Sequence, residues 1–155
     1  MKEETNSVEM IVAEIEISYR PKIKPAARPK IRLPEDAYHL LITHWDMNKI
    51  ELVEEFKVML LNRGKRVLGI CTLTSGSVVQ TIADPKQVFS VALKANATEI
   101  ILVHNHPSGT LEPSVADQEL TRKMKTAGEY LELRVIDHII VSTEGYYSFA
   151  QEGLL

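Results

Sequence analysis

The stretch that most constrains this chain is His104-Asn105-His106-Pro107-Ser108-Gly109-Thr110-Leu111-Glu112-Pro113-Ser114-Val115-Ala116-Asp117. It follows the apolar run Ile100-Ile101-Leu102-Val103, which is short and β-branched enough to be a buried strand. Alternate side chains of an extended chain share a face, so His104 and His106 can aim both imidazoles at one point. The segment that follows, with Pro107, Ser108, Gly109 and Pro113, is turn-forming and can fold Asp117 back onto that point. Two neutral imidazoles and a carboxylate make an open zinc site whose fourth position is left for water.

The remaining composition narrows the class. A chain of 155 residues is long enough for one domain with a real core, and its apolar fraction of 45% and charged fraction of 25% are those of a soluble globular protein. A net charge of -3 with a pI near 6.0 supplies no overall positive field for nucleic acid. The single cysteine, Cys71, excludes an internal disulfide and fits a reducing cytoplasm; its apolar surroundings predict a buried, inert thiol. No apolar run approaches the roughly 20 residues that span a bilayer, so no membrane partner is expected. The acidic N-terminus, with Glu3, Glu4, Glu9, Glu14 and Glu16, is unlike a secretory signal.

Residues 1–33 read as a unit apart from residues 34–155. Within 8–19, Ala13-Glu14-Ile15-Glu16-Ile17 alternates as a strand with one polar face. Residues 20–32 carry Arg20, Lys22, Lys24, Arg28, Lys30 and Arg32 with no acidic residue, and Pro21, Pro25 and Pro29 favour an extended arm over a helix. That arm reads as a solvated linker, or as a docking element for an acidic partner or a phosphate backbone.

Pro34 opens a helix at its favoured first position, with Glu35 and Asp36 at the positive end of the dipole. Ala37, Leu40, Leu41, His44 and Trp45 form its apolar face, His44 as a packed core histidine, while His39 falls on the exposed side. Residues 53–61 and 66–73 read as a hairpin turning at Asn62-Arg63-Gly64-Lys65. Ser75-Gly76-Ser77 should break the second strand, and 78–82 suggest another short one. Asp84-Pro85 starts a helix with Val88, Phe89, Ala92 and Leu93 inward, ending near Asn96. The helix after Ser114 should reach Ala127 and stop at Gly128, followed by a strand over 133–141, a turn at Glu144-Gly145, and Tyr146, Tyr147 and Phe149 packing the last segment. The order helix, hairpin, helix, strand, helix, strand indicates a mixed α/β sandwich. Ser114 and Asp117 also match a helix-capping pair, a role compatible with Asp117 as a ligand.

The spacing His-x-His, ten residues, Asp, with Ser114 three before the Asp, resembles the JAMM (MPN+) metalloprotease motif. His-Asn-His-Pro-Ser-Gly with Pro113-Ser114 and Asp117 is similar, more specifically, to the JAB domain of RadC-type proteins, from about Pro34 to Leu155. The letters His-Asn-His also invite comparison with the HNH nucleases, but there the three residues are dispersed through a ββα unit. Here Asn105 points away from both histidines in a strand, and that reading is set aside.

The resemblance implies a JAB/MPN-like mixed sheet sandwiched by helices, of cytidine-deaminase-like architecture. It also implies one zinc per chain on His104, His106 and Asp117, and hydrolysis of a peptide or isopeptide bond. Zinc there would bring the pKa of a bound water to about 7. JAMM enzymes take their general base from an early strand, and RadC-type sequences place it two residues before a phenylalanine. In Val53-Glu54-Glu55-Phe56 that selects Glu54, and period-two geometry sends Glu55 to the other face. A serine matching Ser114 assists the oxyanion in JAMM enzymes. Ser75 and Gly76 resemble a loop facing the cleft, and Asp137-His138 resembles a RadC-type pair read as structural or as support behind the ligands. Two other readings stand beside the hydrolase: a DNA-associated repair or mobile-element protein, including a metal-dependent nuclease, and a non-catalytic interaction domain. The helix-hairpin-helix region of longer RadC-type members has no counterpart in residues 1–33, which weakens the first; the intact ligand set argues against the second. Oligomeric state is not readable.

Overall fold

In the computed structural model, which describes residues 13, 18–77 and 83–155, the hairpin expected after the first helix lies at one side of a five-stranded mixed sheet. Strands β1 (Glu54–Leu61) and β2 (Val67–Ser77) pair antiparallel. Their turn is held by the Asn62 side chain, which accepts from Gly64 N and Arg66 N at 3.0 Å each. β3 (Glu99–Asn105) lies antiparallel to β1 on its other side, and β4 (Arg134–Val141) runs parallel to β3. The three residues of β5 (Tyr146–Ser148) close the order β2-β1-β3-β4-β5.

Alternation along the strands builds two cores. Phe56, Val58, Leu60, Ile100 and Leu102 face Val88, Phe89 and Ala92 of α2 (Pro85–Lys94) and Met124 of α3 (Val115–Tyr130). Met59, Leu61, Ile101, Val103, Ile139 and Val141 face Ala37 and Leu41 of α1 (Pro34–His44), with Trp45 and Ile50. Each fully buried large side chain contributes about 1.5–3 kcal/mol of burial free energy. The central strands are covered on both faces, which is why they read as nearly unbroken apolar runs. The parallel step from β3 to β4 requires a crossover, and α3 supplies it. This sheet between helices is the expected α/β sandwich.

Several local expectations are corrected. β2 does not end before Ser75 but continues to Ser77, with Gly76 at φ +105° and register shifts in the β1–β2 pairing that absorb the irregularity. α3 runs past Gly128 to Tyr130; a Cβ on Gly128 would lie 2.2 Å from the Leu133 carbonyl oxygen, so this glycine permits a close approach rather than ending the helix. His44 is exposed at the end of α1, its Nδ1 2.9 Å from Leu40 O, because the stripe that sinks into the core runs through Ala37, Leu41 and Trp45. Leu93 is 54% exposed, and Cys71 is half-buried at the margin of the first core. The proposed strands at 8–19 and 78–82 fall mostly or wholly outside the described residues.

The basic stretch is exposed but tied down, and it includes a 3-10 turn (Pro25–Ala27). Arg66 Nη1 donates to Ala26 O and Arg28 O, while Ile31 N donates to Lys65 O and Val67 N to Pro29 O. Among the described residues no helix is long and apolar enough to cross a membrane.

Candidate metal centre

β3 delivers His104 at its end, on the face shared with Ile100 and Leu102, where it lies opposite Phe56 with the two rings stacked at 6.1 Å. His106 follows just beyond the strand. The chain then turns back through Gly109, whose N–H donates to His106 O and whose φ of +79° suits glycine. α3 begins at the cap Ser114, which brings Asp117 in its first turn over the two imidazoles.

His104 Nε2 and His106 Nε2 are 3.0 Å apart. Asp117 Oδ1 lies 3.3 Å from His104 Nε2, and Oδ2 lies 3.5 Å from His106 Nε2. One ligand-capable atom from each of the three residues therefore falls within 4.8 Å of the others.

Surrounding hydrogen bonds determine which ring nitrogens carry protons. Thr121 has one hydroxyl proton and donates it to the carbonyl oxygen of Asp117 at 2.6 Å. Its oxygen therefore accepts from His138 Nδ1–H at 2.6 Å, which leaves His138 Nε2 to accept from His104 Nδ1–H at 2.8 Å. In a neutral imidazole this leaves His104 Nε2 without a proton. His106 donates Nδ1–H to Thr110 O at 2.7 Å, so its Nε2 is bare as well. Two bare nitrogens beside a carboxylate repel one another unless a cation lies among them. The donor set and its outer partners fit a borderline-soft divalent metal.

The electrostatics show that the three groups together favour a positive charge among them, whether a proton or a metal ion. Burial works to raise the Asp117 pKa, but a proton shared with His104 and His106 when no metal lies among them outweighs burial and holds the carboxyl far below the usual range. The Asp117 carboxylate pushes the His106 pKa up against burial, helped by Thr110 O and by the charge of Glu54. Burial holds His138 well below the ordinary histidine value, in keeping with its neutral accepting role.

Ser114 does two things at Asp117. Its N–H and hydroxyl donate to Asp117 Oδ2 at 2.7 and 2.6 Å, while its oxygen accepts from Asp117 N at 3.1 Å. Capping the helix and aiming the carboxylate are thus one arrangement.

Glu54 and Glu55 part company at the start of β1. Glu55 is buried and forms an ion pair with Lys57 at 3.1 Å, and that lysine lies over Trp45 on the face away from the histidines. Glu54 is half-buried, and its charge acts on His106. Ser75 and Ser77 lie opposite Glu55 and Glu54 on β2, which puts Ser75 and Gly76 at the same end of the sheet.

The Asp137-His138 pair divides between two faces. Asp137 accepts from Ser148 Oγ, Ala150 N and His138 N, while the His138 ring reaches His104. Thr121 and Thr110 escape sequence reading. Thr121 carried a usable signal, since it sits four residues after Asp117 on one helix face.

A mixed five-stranded sheet between helices, with a His-x-His and a capping Asp converging at the end of a central strand, defines a JAB/MPN-like domain. The RadC-like JAB domain family model matches residues 31–154, and the chain belongs to that family. A UPF0758 protein of Flavobacterium johnsoniae is 38% identical over 151 residues, covering 93% of this chain and 62% of that protein. One from Desulfitobacterium hafniense is 36% identical over 131 residues, covering 84% and 56%. Another from Thermotoga maritima is 45% identical over 102 residues, covering 66% and 46%. The chain thus spans between 46% and 62% of the length of these curated relatives.

Proposed function

We propose that this chain is a zinc-dependent hydrolase that cleaves an amide bond in a peptide or isopeptide substrate. The observation that carries the reading is the convergence of the His104 and His106 Nε2 atoms and the Asp117 carboxylate, with a hydrogen-bond partner at the other nitrogen of each imidazole. His104, His106 and Asp117 would hold the zinc, which would supply Lewis acidity and lower the pKa of a water toward neutral. Glu54 takes the proton from the attacking water and passes it to the leaving nitrogen. His138 and Thr121 hold His104 in the ligating tautomer, and Ser114 holds Asp117. The Ser114 N–H can keep its hold on Asp117 Oδ2 while the Ser114 hydroxyl, which donates to the same oxygen, turns to donate to the oxyanion, a contact whose loss costs about 100- to 1000-fold in comparable sites. Ser75 and Gly76 line the approach beside Glu54.

The test is the metal content of protein purified without chelator or affinity metal, beside a His104→Ala/His106→Ala variant. About one zinc per chain, lost in the variant, is expected from a three-residue ligand set, and it justifies a peptide-library search for the substrate. No metal in either protein after zinc is supplied overturns the hydrolase reading.

A further inference from the structure

Asn105 stands between the two histidines in sequence and points to the other face of the sheet. It is completely buried. Its Oδ1 accepts from Glu55 N at 2.8 Å, and its Nδ2 donates to Val53 O at 2.9 Å and to Ile50 O at 2.7 Å. Only one orientation of the amide satisfies this set, since an N–H faces one end and two carbonyls face the other.

The partners have a specific meaning. Val53 O belongs to the peptide group before Glu54, and Glu55 N belongs to the peptide group after it. One side chain therefore grips both peptide groups that flank the Glu54 Cα. This is where β1 most needs support from β3. The pairing of the two strands begins at Phe56 opposite His104, so Glu54 and Glu55 lie beyond that ladder. On the β2 side the register shifts between Glu54 and Glu55. The third bond, to Ile50 O, holds the loop that leads into β1.

We propose that Asn105 is a positioning residue that fixes Glu54 relative to the metal ligands. The inference rests on the reading of Glu54 as the base beside a bound metal. Because Asn105 is covalently joined to both histidines' backbone, the ligands and the base share one anchor. A displacement of β1 by about 1 Å, of the kind that costs about 100-fold in rate, is what this amide prevents.

The test uses the full chain loaded with cobalt(II), whose visible absorption reports the groups arranged around the ion. Wild type, Glu54→Gln, Asn105→Ser and the double variant are compared at one pH. Glu54→Gln is expected to change the spectrum, and Asn105→Ser to reproduce that change with cobalt affinity unaltered. The double variant should then add nothing, as two substitutions acting through one group do. If Glu54→Gln changes the spectrum and Asn105→Ser leaves it as wild type, Asn105 does not position Glu54. A change that adds to that of Glu54→Gln overturns the inference too, because it places the action of Asn105 on the ligands. If Glu54→Gln itself changes nothing, the reading of Glu54 as base fails first and takes this one with it. Should Asn105→Ser not fold, Asn105→Asp keeps the shape and the acceptor for Glu55 N but cannot donate to both carbonyls. It is expected to give part of the same change, and a wild-type spectrum from it overturns the proposal.

Discussion

His104 Nδ1 and His138 Nε2 lie 2.8 Å apart, which joins a candidate ligand on β3 to a fully buried neutral imidazole on the neighbouring strand. His138→Phe keeps an aromatic ring stacked on Phe149 but removes the acceptor that holds the His104 tautomer. Zinc affinity should fall about 10- to 100-fold, the usual cost of losing an outer hydrogen bond to a metal-bound histidine. Competition with a chelator measures it, and an unchanged affinity would show that the tautomer is held by other means.

The two neighbouring glutamates should separate by phenotype. Glu54→Gln is expected to keep the metal and the stability while losing about 100- to 10,000-fold in hydrolysis, the range for a general base. Glu55→Gln breaks a buried pair with Lys57 and should cost about 3 kcal/mol in a urea titration. His106→Ala should lose the metal itself. A fully active Glu54→Gln together with an inactive but stable Glu55→Gln would reverse the assignment.

Gly128→Ala tests packing at the end of α3. Alanine is the better helix former by about 1 kcal/mol. The Leu133 carbonyl nevertheless occupies the place its Cβ needs, and a net loss of about 1–3 kcal/mol is expected. A melting temperature equal to or above wild type would mean that the chain after α3 can move aside cheaply.

Acid should expose the start of α1. Backbone N–H groups of Leu33 and Arg32 donate to the Asp36 carboxylate and hold its pKa below the usual carboxylate value. Its folded pKa is lower than its unfolded one, so its contribution is complete above the unfolded pKa and is lost as pH falls through the folded pKa. Asp36→Ala should cost about 1 kcal/mol at neutral pH, as a lost cap does. The gap from wild type should close in urea titrations carried to lower pH; a gap that stays constant with pH would remove the charge from the explanation.

The candidate ligand set is legible because it is local. Strand alternation, a turn and a helix cap bring His104, His106 and Asp117 together within one continuous segment, and each of those signals is written in adjacent residues. The outer partners were less so. His138 reaches His104 only because β4 takes a particular parallel register beside β3, and no spacing within either strand encodes that register. The errors fall at margins for a related reason. Helical spacing put His44 and Leu93 on apolar stripes, but how far along a helix the neighbouring sheet extends is set by packing. Gly128 reads as a stop signal because local chemistry cannot reveal the Leu133 carbonyl that approaches from the turn before β4. Ser75-Gly76-Ser77 looked like a break because a strand that tolerates register shifts is visible only with its partner in place.

The first turn of α3 is closed by the same carboxylate that faces the histidines, since Asp117 Oδ2 takes both donors of Ser114. Any fraying of that turn therefore withdraws a candidate ligand. Ion escape then becomes a clock for local opening: in excess chelator its rate should track amide exchange at the start of α3, well before the sheet lets go.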